Sequence, residues 1–299
     1  MSAILEFHDV VRSYEAGKPV LDGVTFAMQP GEVVGLLGRN ASGKTTLIRL
    51  AMGMLFPHGG NVRVFGLSPT TEPVAVKRRI GFVAEDQALP PHSTIAELIA
   101  FHRYLFPQWD EALERLLVDR FSLPTGSKIA KLSKGQARQA ALLCAVCHRP
   151  ELLILDEPAG GLDAAARREF LETSIQLLNR EGTAILFSSH HLSDVERIGG
   201  RVLLLAEGRV KLDRELDTLR EDLCVAVVPG DQVPTADVLE RMPGCLRVRR
   251  VFGDWHAVFQ AAPEIAKLRV EEKLGIANVR CMGVPLEELF VELVGGERS

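Results

Sequence analysis

The sequence predicts an α/β chain. A mainly parallel sheet flanked by helices fills residues 1–221, with antiparallel strands at its start and a helical insertion at about 86–148. A small α+β domain follows over 222–299. Three observations predict this. Apolar runs alternate with helical patterns from 32 to 206, as in a sheet covered on both faces. One run, "EVVGLLG" at 32–38, leads through a Gly-rich turn into a helix. Near 220 this regular alternation gives way to a different order of strands and helices.

The elements can be read in order. Residues 3–11 and 20–28 alternate and carry β-branched side chains, so they read as strands. The strand at 32–38 passes into a helix from Gly43 to about Met54, and "NVRVFG" and "RIGFVAE" are further short strands. "STIAELIAFHRYLF" is a helix with Ser93 as its cap and Glu97 close behind. "DEALERLLVDRF" places Leu113, Leu116, Leu117 and Phe121 on one helical face. Then come a helix at 135–148, a strand at 151–156, a helix at 163–180, a strand at 183–188, a helix at 191–198 and a strand at 201–206. Beyond 222, "LCVAVVPG", "CLRVRRVFGDWHAVFQ" and "GIANVRCMG" read as strands. "ADVLERM", "APEIAKLRVEEKLG" and "PLEELFVELVGG" read as helices.

Bulk composition narrows the function classes. The chain has 299 residues, enough for one large domain or two, with 46% hydrophobic and 25% charged residues. A net charge of −4 argues against broad nucleic-acid binding, which usually shows as a basic domain. No apolar run approaches the ~20 residues that span a bilayer. "MSAILEFHDV" lacks a basic stretch followed by an apolar core, so it does not read as a signal peptide. Five scattered cysteines fit reduced thiols. Cys144 and Cys147 form C-x-x-C, but inside an Ala-rich helical run that reads as packing.

"GRNASGKT" at 38–45 matches G-x-x-x-x-G-K-[ST] between a strand and a helix, the context the motif requires. Its glycines let successive N–H groups face phosphate oxygens, and the helix N-terminus adds partial positive charge. The segment comprises Gly38, Arg39, Asn40, Ala41, Ser42, Gly43, Lys44, Thr45 and Thr46. Lys44 would reach the β- and γ-phosphates, and Thr45 would offer its hydroxyl to Mg2+. "LLILDEP" adds a buried strand with Asp156 at its carboxyl end, placed to hold Mg2+. Glu157 follows, placed to polarise a water for attack. These two motifs imply an ATPase or GTPase. The base-reading N-K-x-D of GTPases is absent.

Between them lies "LSKGQ": Leu132, Ser133, Lys134, Gly135 and Gln136. With it, the chain resembles the ATP-binding subunits of ABC transporters, from residue 4 to about 215. "LSKGQ" is similar to their L-S-G-G-Q signature, "AGGLD" to their D-loop ending at Asp163, and "FSSHH" to their γ-phosphate-sensing histidine segment, here His190. Tyr14 stands where that family stacks an aromatic on adenine. The resemblance implies ATP and Mg2+ as ligands. It also implies a head-to-tail dimer in which Ser133 and Gly135 face the γ-phosphate on a second subunit, a copy of this chain or a paralogue.

The chain departs from that pattern at three places. Lys134 replaces a Gly, and either adds charge to the phosphate contact or faces solvent. Ala41 replaces a frequent Gly. Glu85 stands where the family usually places a Mg2+-touching Gln, with Gln87 as the alternative. "FPQWDEALERLL", the signature helix and "PLEELFVELVGG" resemble the exporter branch of the ABC-2 type, grouped with the YtrB and bacitracin-export ATPases. That implies a separate membrane-spanning permease subunit and a peripheral location on the cytoplasmic face of the cell membrane. The rival reading is a soluble ABC-type ATPase switch acting on ribosome, DNA or another protein. His148 and His191 read as packing or surface, and the "RVRR" run at 247–250 as a solvated face or protein interface, with anionic lipid contact as the lesser alternative.

Overall fold

The computed structural model describes residues 2–15, 17–158, 160, 162, 167, 170–172, 182–198, 200–232 and 235–283. The chain divides into two compact units, Met1–Asp213 and Arg214–Ser299.

The first unit opens with two long strands, β1 (Leu5–Glu15) and β2 (Lys18–Met28). They pair antiparallel, and β4 (Gly59–Val64) pairs antiparallel with the other edge of β1. The second sheet is built from β3 (Val33–Leu37), β5 (Ile80–Val83), β6 (Leu152–Leu155), β7 (Ala184–Ser189), β8 (Arg201–Ala206) and β9 (Arg209–Glu215). Its order is β5-β6-β7-β3-β8-β9, and the first five strands run parallel. Residues of β6 are fully buried, as the unbroken apolar run of a strand covered on both faces requires. Glu207 and Gly208, both at positive φ, turn β8 back into β9. The sequence reading did not identify β9.

Helix α1 (Lys44–Ala51) buries Leu47, Ile48, Leu50 and Ala51 in a core that also takes Phe7 and Leu21 from the first sheet and Leu36, Ile154, Leu186 and Leu203 from the second. A short α2 (Pro73–Lys77) precedes β5. The helical insertion contains α3 (Ile95–Leu105), α4 (Glu111–Arg120) and α5 (Lys134–Val146). Thr94, not Ser93, caps α3. Its Oγ1 accepts from Glu97 N at 3.2 Å and its own N–H donates to Glu97 Oε2 at 2.8 Å, the three-residue spacing that a reciprocal capping box needs. On α4, Leu113 and Leu117 are buried and Phe121 follows them, but Leu116 is half exposed. It sits one turn-edge off their stripe. Helix α6 (Leu192–Ile198) follows β7. Most of the helix expected at 163–180 lies outside the described residues.

The second unit begins with α7 (Leu216–Asp222), which the sequence reading missed. It continues as β10 (Leu223–Val228), α8 (Asp237–Glu240), β11 (Cys245–Val251), β12 (Asp254–Gln260), α9 (Pro263–Leu274) and β13 (Arg280–Gly283). The sheet order is β11-β12-β10-β13, all antiparallel. From β10 onward this is the β-α-β-β-α-β, ferredoxin-like arrangement. Cys224, Ala226, Val228, Ala257 and Phe259 form the covered face, against Leu239 of α8 and Ala266 and Val270 of α9. The helix expected from "PLEELFVELVGG" lies outside the described residues. No helix among the described residues is long and apolar enough to cross a membrane.

Candidate functional site: a phosphate-loop cleft

Four segments meet because four neighbouring parallel strands, β5-β6-β7-β3, end on the same side. Their carboxyl ends release Glu85, Asp156–Glu157, Ser188–His190 and the Gly38–Thr46 loop. Ligands of open parallel sheets bind outside such ends. A cleft of about 400 Å3 there is lined by Tyr14, Asn40, Ala41, Ser42, Gly43, Lys44, Thr45, Thr46, Glu85 and Glu157, with Val20 at its wall.

The loop's curvature is built in. Gly43 holds φ at 108°, and a Cβ on Gly38 would lie 2.3 Å from Ser42 Oγ and 2.6 Å from the Leu205 carbonyl oxygen. Ala41 is also left-handed, at φ 64°. It adopts the conformation that glycine holds at lower cost. Ser42 Oγ is buried with no partner, as suits a hydroxyl facing a ligand oxygen.

Lys44 is the buried cation of the site. Its Nζ donates to the carbonyl oxygens of Gly38 at 2.7 Å and Arg39 at 3.4 Å, and lies 3.2 Å from Glu157 Oε1. The other Glu157 oxygen, Oε2, is 2.8 Å from His190 Nδ1. Asp156 is buried, and its Oδ1 accepts from Ser188 Oγ at 2.7 Å. Ser188 Oγ in turn accepts from Glu157 N at 2.8 Å. Ser188 therefore fixes both carboxylate-bearing residues. The sequence reading did not single it out, although it directly follows the apolar part of β7.

Glu85 faces this centre from the end of β5. Burial, and then the neighbouring Glu157, Asp156 and Asp86 carboxylates, push its pKa above the ordinary value, against the opposing pull of Lys44. Gln87, the alternative, turns back to accept from Ala84 N at 3.3 Å. Among the described residues no three acidic, His or Cys side chains converge closely enough to hold a metal alone. Mg2+ is usually held by one or two carboxylates together with substrate phosphates. A mutually repelling carboxylate set beside a phosphate loop fits such a cation.

Tyr14 is 55% exposed at the cleft mouth, with its hydroxyl 3.2 Å from Thr46 Oγ1 and Arg12 over its ring. "LSKGQ" lies at the N-terminus of α5, where Lys134 lines a neighbouring cavity with Glu85 and His190. Ser133 caps α5, with Oγ accepting from Gln136 N at 3.2 Å and Gln136 Oε1 accepting from Ser133 N at 3.1 Å. Leu132, Gly135 and Gln136 are partly exposed, and Ser133 and Lys134 are exposed. None of the five lines the phosphate cleft. Asp163 lies outside the described residues.

Behind the centre, Asp194 accepts from Ser189 Oγ at 2.7 Å and pairs with Arg167 at 2.5 Å. His191 lies against the His190 ring, and burial lowers its pKa. His148 is packed, stacked on Phe106 at 4.0 Å. Cys144 and Cys147 are buried, and burial pushes Cys144 up to about 12 and Cys147 higher still, so neither is a ready thiolate.

Comparison with known proteins matches this architecture. Residues 21–160 match the family model described as "ABC transporter". The ABC transporter ATP-binding protein YtrB of Bacillus subtilis (strain 168) is 30% identical over 283 residues, 94% of this chain and 95% of that protein. A Nod factor export ATP-binding protein I of Burkholderia pseudomallei (strain K96243) is 35% identical over 305 residues, covering 99% of this chain and 98% of its own. A solved ATP-binding subunit of an ABC transporter is 30% identical and superposes with a TM-score of 0.66 over 73% of this chain and 92% of its own.

Proposed function

The chain belongs to the ABC transporters as an ATP-binding, ATP-hydrolysing subunit, and we propose that it drives export through a separate membrane-spanning subunit as one half of an ATP-closed dimer. The carrying observation is the contact set around Glu157. One carboxylate oxygen faces the phosphate-loop lysine and the other faces His190.

The proposed chemistry follows from that placement. Lys44 and the loop N–H groups bind the β- and γ-phosphate oxygens, while Tyr14 stacks on the base. Glu157 takes a proton from a water as its oxygen bonds to the γ-phosphorus. The bond from that phosphorus to the bridging oxygen breaks, and ADP leaves with the electron pair. His190, with Nδ1 2.8 Å from Glu157 Oε2, orients the carboxylate. Thr45, Asp156 and Glu85 would hold Mg2+, which would neutralise charge on the transferred phosphoryl group.

The signature residues support the dimer. An exposed helix N-terminus with Ser133 and Gly135 is suited to an anion, and it lies apart from the chain's own cleft. A second copy or a paralogous cassette, placed head to tail, would supply that anion as its own γ-phosphate. The D-loop role of Asp163 is carried over from the family pattern. Export is supported by relatives that include a protein named for Nod factor export. It implies a peripheral position on the cytoplasmic side of the membrane.

The test is the mass of full-length Glu157→Gln protein by light scattering, with and without Mg·ATP. The expected result is a monomer that becomes a dimer on ATP. A lasting monomer would overturn the self-paired dimer. Capture of a protein with several apolar spans from solubilised membranes would support the transporter reading. Recovery only with ribosomes or DNA would overturn it in favour of a soluble switch.

A further inference from the structure

Arg138, the fifth residue of α5, makes contacts that none of the motifs accounts for. Its Nη1 donates to the carbonyl oxygens of Glu157 at 2.9 Å and Pro158 at 2.7 Å, and its Nη2 donates to the Glu85 carbonyl at 2.8 Å. All three acceptors are backbone oxygens, on the two segments that carry the acidic residues of the centre. Glu157 is left-handed, at φ 44°, a conformation that persists in a non-glycine residue only where its surroundings hold it. Its carbonyl is held twice, by Arg138 and by Gly160 N at 3.0 Å. Desolvation pulls the Arg138 guanidinium below its ordinary pKa, and the Glu85, Asp86 and Glu157 charges work against that shift. A partly buried guanidinium spent on carbonyls is a costly arrangement. A rigid planar fork can hold three oxygens in fixed relation, which a lysine ammonium on a flexible stem does not do.

We propose that Arg138 is the positioning residue of the hydrolytic centre, fixing the backbone of the Glu157–Pro158 turn against that of Glu85 so that both side chains keep their places around the phosphate. The proposal rests on the reading of Glu157 as general base.

The test compares Arg138→Ala and Arg138→Lys with the parent full-length protein in steady-state ATP hydrolysis. For Arg138→Ala, kcat is expected to fall about 10- to 100-fold while KM for ATP stays within about threefold, the mark of lost placement rather than lost binding. Millimolar guanidinium should restore part of kcat in Arg138→Ala and leave the parent unchanged, and Arg138→Lys should not substitute. Parental kcat in Arg138→Ala, or a rise in KM at constant kcat, overturns the proposal. Should the alanine variant not fold, the kcat of Arg138→Lys decides by the same criterion. Should parental turnover be too slow to follow, amide exchange decides. Faster exchange over 152–162 and 83–88, with the phosphate loop unchanged, supports the proposal, and unchanged exchange in all three overturns it. Glu157→Gln, assayed in parallel, separates the two ideas. Normal turnover in that variant overturns the general-base reading. Its loss beside normal Arg138 variants overturns the positioning role alone.

Discussion

At the scale of single residues, the centre works by sharing partners. Lys44 and Glu157 are both buried and 3.2 Å apart, so each limits the cost of the other's burial. In the proposed site, an arriving γ-phosphate would compete with Glu157 for Lys44. Lys44→Ala should therefore weaken ATP binding by about 10- to 150-fold, the 1.5–3 kcal/mol of a charged hydrogen bond, read by equilibrium titration. Unchanged affinity would remove Lys44 from the site. Glu157→Gln keeps the shape and the hydrogen bonding but not the basicity. Hydrolysis should fall about 10²- to 10⁴-fold while ATP still binds. Ser188→Ala should cost about 1–3 kcal/mol in stability, because Glu157 N and Asp156 Oδ1 lose a buried partner together. A melting temperature equal to the parent's would argue against that bridge. Lys44, Asp156 and Glu157 were legible in the sequence as candidates because each sits in a short motif of defined spacing, and His190 through the family resemblance. Ser188 and Arg138 were not, because their contacts exist only once β6 lies beside β7 and α5 lies against the ends of β5 and β6.

At the scale of elements, the ends of the helices carry most of the consequences. Ser133 is both the cap of α5 and the proposed contact to a second subunit's phosphate. These roles can be separated because aspartate caps as well as serine but repels an anion. Ser133→Asp should keep the parental melting temperature and lose ATP-driven dimerisation, measured by light scattering in the Glu157→Gln background. A surviving dimer would mean that the α5 N-terminus does not face the shared phosphate. Boundary errors in the sequence reading have the same physical origin. Ser93 and Thr94 are equally good caps by composition, and only the distance to Glu97 selects Thr94. The exposure of Leu116 shows that a leucine-rich helix can offer more apolar positions than its neighbours cover. At the end of the α5 segment, His148 is packed against Phe106. Burial lowers its pKa from 6.5, and its Nε2 lies 3.1 Å from the Ile80 carbonyl oxygen. The unfolded chain then binds the proton more readily than the folded one. This contribution is complete above the unfolded value of 6.5 and is lost as the pH falls through the lower folded value. His148→Phe, with its ring still able to stack on Phe106, should flatten that part of the stability–pH curve. An unchanged slope in chemical denaturation would assign the loss to another group.

At the scale of the whole molecule, the chain holds two cores with different histories in the sequence. The first was readable because parallel strands buried on both faces leave continuous apolar runs, and motifs at their carboxyl ends mark the cleft, while the strand order β5-β6-β7-β3-β8-β9 came only with the fold. The second was readable only as an α+β region. The order β11-β12-β10-β13 depends on pairings between distant strands, such as Cys224 with Phe259 and Ala226 with Cys281, which no local pattern encodes. Once that order is known, the covered face is explicit, and Phe259 is its largest fully buried side chain. The residues lining the nucleotide cleft lie between Tyr14 and Glu157, all in the first unit. Phe259→Ala should cost about 3–5 kcal/mol, the penalty for emptying a fully packed aromatic site. In calorimetry the loss should fall on the unfolding of the ferredoxin-like unit, with ATP affinity of the folded protein within about twofold of the parent, since no lining residue changes. A matching loss of ATP affinity below the unfolding transition would show instead that the integrity of this second core controls the cleft, and would make the C-terminal unit a regulator of nucleotide binding.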